Sequence, residues 1–349
     1  MTKRQRAPTT AAITVTLTTN NTLLQIAEDR PFWPTVLGKT ESRSSTVWCL
    51  RCILDLRLSD RVRNDVIRRR CGDIPLVSDV VKARRLRWFG HTLRRPGIPD
   101  PLTNPEYRVD CQPEGVADTT ICLERGCVYD EIYDAPGTPW CFFPVDYGYR
   151  LTGTPNVNEK GIVFNLVRNS VPSLFGNEWQ SITLEVEYQT DDRLRVKISD
   201  GQPRWKVPIA IDNPSDVPAN PLYEVSHTAG STFSFQVVRK STGTVIFDSS
   251  LGGLTLSDQF LQISTLLSMD AIFGFGENEQ PSLRHDMNWK TWALWARDQA
   301  PNGAANMYGT QPYYTALEPN GDAHGVLILN SNAQGNIFAD SYSCYNFKI

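Results

Sequence analysis

Cys111, Cys122, Cys127 and Cys141 fall within 31 residues, in a stretch crowded with aromatics and turn formers. Residues 122–144 read CLERGCVYDEIYDAPGTPWCFFP. A module of about 40 residues cannot bury enough apolar surface to stand unaided, so a cysteine set at this density implies cross-links or a metal. The rest of the chain has to accommodate that stapled unit. The other four cysteines are dispersed: Cys49, Cys52 and Cys71 precede it, and Cys344 stands near the end.

Charge divides the 349 residues at about the same place. Residues 1–100 carry 19 Lys/Arg against 9 Asp/Glu, a balance of +10, and the remainder carries 16 against 29, a balance of -13. Such asymmetry points to two segments with different histories or partners. The longest apolar runs are too short for a membrane span, which needs about 20 residues. The start, MTKRQRAPTTAAITVTLTTNN, lacks a compact apolar core and is not read as a signal peptide.

In the basic part, residues 61–97 read as two amphipathic helices broken between Gly72 and Pro75, with Arg interleaved with Trp88 and Phe89. That pattern is compatible with nucleic-acid contact, but a small helical piece with a solvated basic face is the preferred reading. Cys49, Cys52, Cys71 and His91 form a Cys3His zinc pattern with loose outer spacing, and unrelated thiols are the preferred reading. The segment ARRLRWFGHTLRRP resembles the C-terminal tail of reverse transcriptases from non-LTR retrotransposons, over residues 45–97, with helices expected at 55–95.

Around the cysteine cluster, Asp110-Cys111, Cys122-x-x-x-Gly126-Cys127 and Pro139-Trp140-Cys141-Phe142-Phe143-Pro144 resemble a trefoil (P-type) domain. The resemblance implies three bridges, first to fifth, second to fourth and third to sixth cysteine. Here Val128 occupies the fifth position, and no cysteine lies where the first is expected. The family pairing therefore implies Cys111–Cys127 and Cys122–Cys141, with one whole bridge lost and no orphan thiol. Each loop of roughly 15–20 residues contributes about 3 kcal/mol in the chain-entropy account. Such bridges imply the secretory pathway, with an extracellular, membrane-associated or lysosomal destination.

From Leu151 the pattern turns to period two. Ile182, Leu184, Val186 and Tyr188 alternate with polar residues, as do Leu194, Val196 and Ile198, then Phe233, Phe235 and Val237. Short alternating strands with polar turns predict a mainly β chain, an antiparallel sandwich following the stapled module. The motifs VIFDSS (245–250), SDQFLQIST (257–265), FGFGE (273–277), RHDMNWKTW (284–292), ARDQAPNG (296–303), NMYGTQPYY (306–314) and HGVLILNSNA (324–333) resemble glycoside hydrolase family 31, the maltase-glucoamylase, sucrase-isomaltase and lysosomal acid α-glucosidase group. The resemblance runs from about residue 108 to 333.

It implies a division into a basic segment (1–100), a trefoil (108–149), a galactose-mutarotase-like β-sandwich (150–333) lacking its last strands, and a divergent tail (334–349). In the family these modules precede a (β/α)8 barrel of about 250 residues. Retaining hydrolysis of an α-glucosidic bond needs two carboxylates about 5–5.5 Å apart, and the family draws both from the barrel. Since 16 residues follow Ala333, no catalytic residue, cofactor or metal is assigned, and activity of the chain alone is not expected.

One contribution comes from the sandwich in the family: a loop carrying Arg-Asp, here Arg297-Asp298, whose aspartate accepts hydrogen bonds from sugar hydroxyls. A loop-capping role for Asp298 is the competing reading. Trp289, Trp292 and Trp295 suggest a stacking platform or, preferably, burial against the barrel. His285-Asp286 reads as structural, and Asn278 replaces a family histidine. The implied partners are an α-glucan or maltose-type oligosaccharide and the barrel itself. Two alternatives stand beside this: a trefoil-sandwich module binding carbohydrate or mucin, and a truncated chimeric product without autonomous function.

Overall fold

The computed structural model describes residues 13–19, 100–102, 104–131, 137–169, 177–203, 216–258, 260–301, 306–330, 332–339 and 344–348. All belong to one compact unit, Met1–Asn21 with Ile98–Ile349. The basic helices expected at 55–95 and the Cys49, Cys52, Cys71 and His91 set lie outside the described residues.

The first element, β1 (Ile13–Thr19), precedes the stapled module in sequence. The module itself holds a six-residue helix, α1 (Thr119–Glu124), and a two-stranded ribbon of β2 (Val128–Tyr129) and β3 (Cys141–Phe142). Asp118 caps α1 by accepting a hydrogen bond from the Ile121 amide at 3.0 Å, which satisfies one otherwise free N-terminal donor. The helix ends at Gly126, whose φ of 72° suits a residue without a Cβ. Little else is regular here, and four cysteines stand among the ten buried residues of this core. Cys111, Cys122, Cys127 and Cys141 are buried together with Tyr107, Val109 and Phe143.

The sandwich begins with β4 (Tyr149–Leu151), β5 (Asn156–Asn158), β6 (Gly161–Arg168), β7 (Ser181–Thr190) and β8 (Arg193–Ser199). Next come β9 (Tyr223–Ala229), β10 (Phe233–Arg239) and β11 (Val245–Asp248). They are followed by β12 (Thr255–Leu256), β13 (Leu261–Leu266), β14 (Ile272–Asn278) and β15 (Lys290–Leu294). The last are β16 (Asn306–Leu317), β17 (Ala323–Leu329), β18 (Gln334–Ala339) and β19 (Cys344–Lys348). One sheet runs β14-β16-β17-β1-β8-β7-β6-β4, with β5 also on β6. A second runs β11-β10-β9 and a third β12-β13-β19-β18-β15. Every pairing among the described residues is antiparallel, and no (β/α)8 barrel is found among them.

The period-two pattern explains which face is buried. Ile182, Leu184 and Val186 of β7 and Leu194, Val196 and Ile198 of β8 all point inward. The outward residues pair across the strands: Lys197 Nζ meets Glu185 at 3.1 Å, and Arg195 meets Glu187 at 3.7 Å. Inside, Phe164, Leu184 and Val196 share one core with Phe235 and Phe247 of the three-stranded sheet and Ile263, Trp292 and Phe338 of the five-stranded one. Each fully buried aliphatic or aromatic side chain contributes about 1.5–3 kcal/mol. The partly exposed ion pairs contribute less, about 0.2–1 kcal/mol each. Burial therefore holds the layers together.

Two segments outside residues 150–333 pair with the sandwich strands. β1 lies inside the large sheet, with Val15 opposite both Ile328 of β17 and Val196 of β8. After Ala333, β18 and β19 join β15 to β13 and cover edges that would otherwise stand open. Both segments, ITVTLTT and CYNFK, alternate as strands do. Their polar residues gave them a weak apolar signal.

Backbone approach is tightest at Gly161, where a Cβ would lie 1.9 Å from the Val186 carbonyl oxygen. Because backbone cannot swing aside as a side-chain tip can, Gly161→Ala is expected to lower the unfolding free energy by about 2 kcal/mol, as other overpacked sites do. Urea denaturation checks this, and an unchanged midpoint would show that β6 and β7 separate freely at that end.

Candidate functional site

The loop after β15 carries the residues singled out for carbohydrate contact. Two hydrogen bonds tie it to β16: the Asn306 side chain donates to the Trp295 carbonyl, and the Arg297 amide donates to the Met307 carbonyl at 3.4 Å. Arg297 is half-buried, and its guanidinium lies 5.9 Å from the centroid of the Trp295 ring. Its Nε is enclosed without a hydrogen-bond partner among the described residues. Asp298 is exposed and makes no hydrogen bond or ion pair among the described residues. Trp295 is 50% exposed and Tyr308, on β16, 53%. The arrangement offers an open carboxylate, a cation and two aromatic faces on one strand-end. It can accept hydrogen bonds from paired hydroxyls and provide stacking surface.

The three tryptophans do not form one platform. Trp292 is in the sandwich core, with Lys290 Nζ 5.2 Å from its ring. Trp289 packs against the trefoil core, leaving Trp295 at the surface. The three lie close in sequence, but β15 gives alternate residues to opposite faces, Trp289 falls before the strand begins and Trp295 after it ends.

His285 and Asp286 are structural. His285 Nε2 is 2.7 Å from the Gly274 carbonyl, and its ring stacks on Phe338 with centroids 4.6 Å apart. Burial lowers its pKa, with the Gly274 contact opposing. Asp286 accepts from the Asn288 amide at 3.0 Å in a local turn. The Asn278 side chain donates to the Phe275 carbonyl, so it too serves the backbone.

In the trefoil, the structure forms the Cys111–Cys127 and Cys122–Cys141 bridges. Val128, standing where a fifth cysteine was expected, is half-buried on the ribbon opposite Phe142. Arg108 was not anticipated. It is fully buried, 4.3 Å from the Phe142 ring centroid, and pairs with Asp130. Its other donors reach the carbonyls of Pro101 at 3.1 Å, Asp130 at 3.0 Å and Pro139 at 3.2 Å. One guanidinium thus gathers three chain segments that the bridges alone leave loose.

A second buried charge group joins two sheets of the sandwich. Arg239, on β10, donates Nε to Glu318 Oε1 and Oε2 at 3.0 and 3.1 Å, and Nη2 to the Ala323 carbonyl at 3.0 Å. His324 Nδ1 lies 3.1 Å from Glu318 Oε1. Burial alone would raise the Glu318 pKa, but the hydrogen bonds and charges of His324 and Arg239 outweigh it and hold the carboxyl at about 2. Burial lowers the His324 pKa, against the pull of Glu318. No local motif announces this trio, since Arg239 and Glu318 are 79 residues apart.

Comparison with known proteins agrees with this architecture. Residues 101–144 match the trefoil (P-type) domain family. The chain is 40% identical over 240 residues to intestinal sucrase-isomaltase of Oryctolagus cuniculus, covering 66% of this chain and 13% of that protein. To the Homo sapiens sucrase-isomaltase it is 39% identical over 241 residues, covering 67% and 13%. To the lysosomal alpha-glucosidase of Mus musculus it is 38% identical over 244 residues, covering 68% and 25%. The chain therefore spans a quarter or less of these relatives' length, at their trefoil and N-terminal region. Its two buried bridges fit the oxidising conditions of the secretory pathway. Trefoil, sheets and sequence agree: over two thirds of its length this chain corresponds to the N-terminal region of the glycoside hydrolase family 31 enzymes typified by sucrase-isomaltase and lysosomal alpha-glucosidase.

Proposed function

We propose that the Arg297–Asp298 loop is a carbohydrate-contacting element, and that the sandwich presents it to an α-linked glucan or maltose-type oligosaccharide. In a whole α-glucosidase the bond-breaking carboxylates belong to a following barrel, and this chain contributes to binding rather than to cleavage. The observation that carries the reading is the state of Asp298, an exposed carboxylate unclaimed by any described neighbour, beside the half-exposed Trp295 indole. A loop-capping aspartate would be occupied with nearby amides, as Asp286 is. The bridges and the relatives favour a secreted, membrane-associated or lysosomal setting for that activity.

Titrating the chain with maltose, followed by NMR shifts of the tryptophan indoles, tests this. Weak saturable binding is expected, and Asp298→Asn is expected to weaken it about ten-fold, the value of a hydrogen bond to a charged group. Equal binding by the variant would remove Asp298 from the site. Shifts confined to residues 101–144 would favour the trefoil as the sugar- or mucin-binding element.

A further inference from the structure

We propose that the four trefoil cysteines form a staple with two chemistries: two disulfides under oxidising conditions, and one tetrathiolate zinc site once both bridges are reduced. The Sγ atoms of Cys111, Cys127 and Cys141 lie within 4.8 Å of one another, although they belong to two different bridges. Cys122 Sγ is bonded to that of Cys141, so all four sulfurs form one buried cluster. A tetrahedral zinc with Zn–S bonds of about 2.3 Å places its sulfurs about 3.8 Å apart. The bonded pairs need to open to that distance, Cys141 needs to close on Cys111 and Cys127 by about 1 Å at most, and Cys122, released from Cys141, swings in as the fourth ligand.

The count is particular to this chain. A module with six cysteines would release six thiols and leave two surplus to a zinc ion. This one releases four, because Val128 stands at the fifth position and no other cysteine lies in residues 101–144. The module also needs a cross-link of some kind. With four cysteines among the ten buried residues of its core, it loses its staples when the bridges open, and a structural metal is the other common means of holding so small a unit. The tetrathiolate centre carries a charge of -2. Arg125 borders the cluster, donating Nη1 to the Cys111 carbonyl at 3.3 Å while also pairing with Glu114.

The chemistry balances. Reducing each bridge takes two electrons and two protons. With a phosphine as reductant, one phosphine per bridge becomes its oxide, and a water supplies the oxygen and both protons. Zinc binding then releases one proton from each of the four thiols, so affinity falls as pH falls.

The test uses the full chain reduced with a water-soluble phosphine under argon and titrated with Co2+, whose tetrahedral thiolate complexes have intense charge-transfer and ligand-field bands. Because Cys49, Cys52, Cys71 and Cys344 would also be reduced, a variant with these four changed to Ser isolates the trefoil. That variant is expected to bind one Co2+, give the tetrathiolate spectrum, and lose the band when one equivalent of Zn2+ is added. Cys111→Ser or Cys141→Ser in the same background is expected to abolish the tetrathiolate spectrum, and the oxidised protein to show none. Protease protection of residues 101–144 should return with the metal. No tetrahedral spectrum in the isolating variant, a band unchanged by Cys111→Ser, or one indicating fewer than four thiolates would each overturn the proposal.

Discussion

Glu318→Gln is expected to destabilise the protein by about 3–5 kcal/mol, the cost of leaving a buried charge uncompensated. Arg239 would keep its charge with 6% of its side chain exposed, and lose both carboxylate oxygens. Its remaining bond to the Ala323 carbonyl and the Tyr223 ring 5.7 Å away cannot replace a full negative charge. Arg239→Met combined with Glu318→Leu separates two meanings of that loss. If the pair supplies net stability, the double variant is as weak as the single one. If desolvation cancels the attraction, as is common for buried pairs, the double variant recovers most of the loss. Chemical denaturation of both proteins is the measurement, and a loss below about 1 kcal/mol for Glu318→Gln would show that water reaches Arg239.

The same group makes stability depend on pH in two windows. His324 is held neutral, with its pKa below 6.5, by burial that outweighs the attraction of Glu318, with Arg239 opposing its charge too. The unfolded chain therefore takes up this proton first, and stability falls as pH drops from 6.5 toward the lowered value. Glu318 has its pKa lowered from 4.5 to about 2, so its contribution is complete above 4.5 and is lost as pH falls through that interval. The charged neighbour Arg239, its pKa raised by Glu318 against the effect of burial, remains ionised through the upper window and leaves its sign unchanged. His324→Gln is expected to flatten the upper window and to narrow the lower one, since His324 helps to hold the Glu318 pKa down.

Opening the Cys122–Cys141 bridge by replacing both residues with Ala is expected to cost about 3 kcal/mol, since it frees a loop closed across 19 residues. The Cys111–Cys127 bridge spans 16 residues, and its removal should cost nearly as much. The effect should be local. The trefoil core is shared with the sandwich through Tyr147, Leu251 and Leu266, but the sandwich has a separate and larger core of its own. Limited proteolysis under oxidising conditions should then cut the double variant within residues 101–144 and spare the strands from β6 onward. Cleavage in the strands at the same rate would mean that the two cores unfold as one, which would give the trefoil a structural duty toward the sandwich.

Much of this was legible in the chain. Cysteine spacing and the Gly-Cys and Pro-Trp-Cys motifs identified a stapled module, and family resemblance supplied its pairing. Period-two alternation marked the faces of β7, β8 and β10, because a strand sends successive side chains to opposite sides wherever it is placed. That periodicity reports which face is buried and says nothing about which strand lies alongside. Only the tertiary structure put Ile13–Thr19 between β17 and β8, and gave the last residues a place beside β13. It alone sent Trp289, Trp292 and Trp295 to three different environments. It alone joined Arg239 to Glu318 across 79 residues. Local chemistry sets the conformation each segment prefers, whereas long-range partners follow from which faces can be buried together. Buried charges such as Arg239 and Arg108 must find their counterparts among groups that no spacing rule connects.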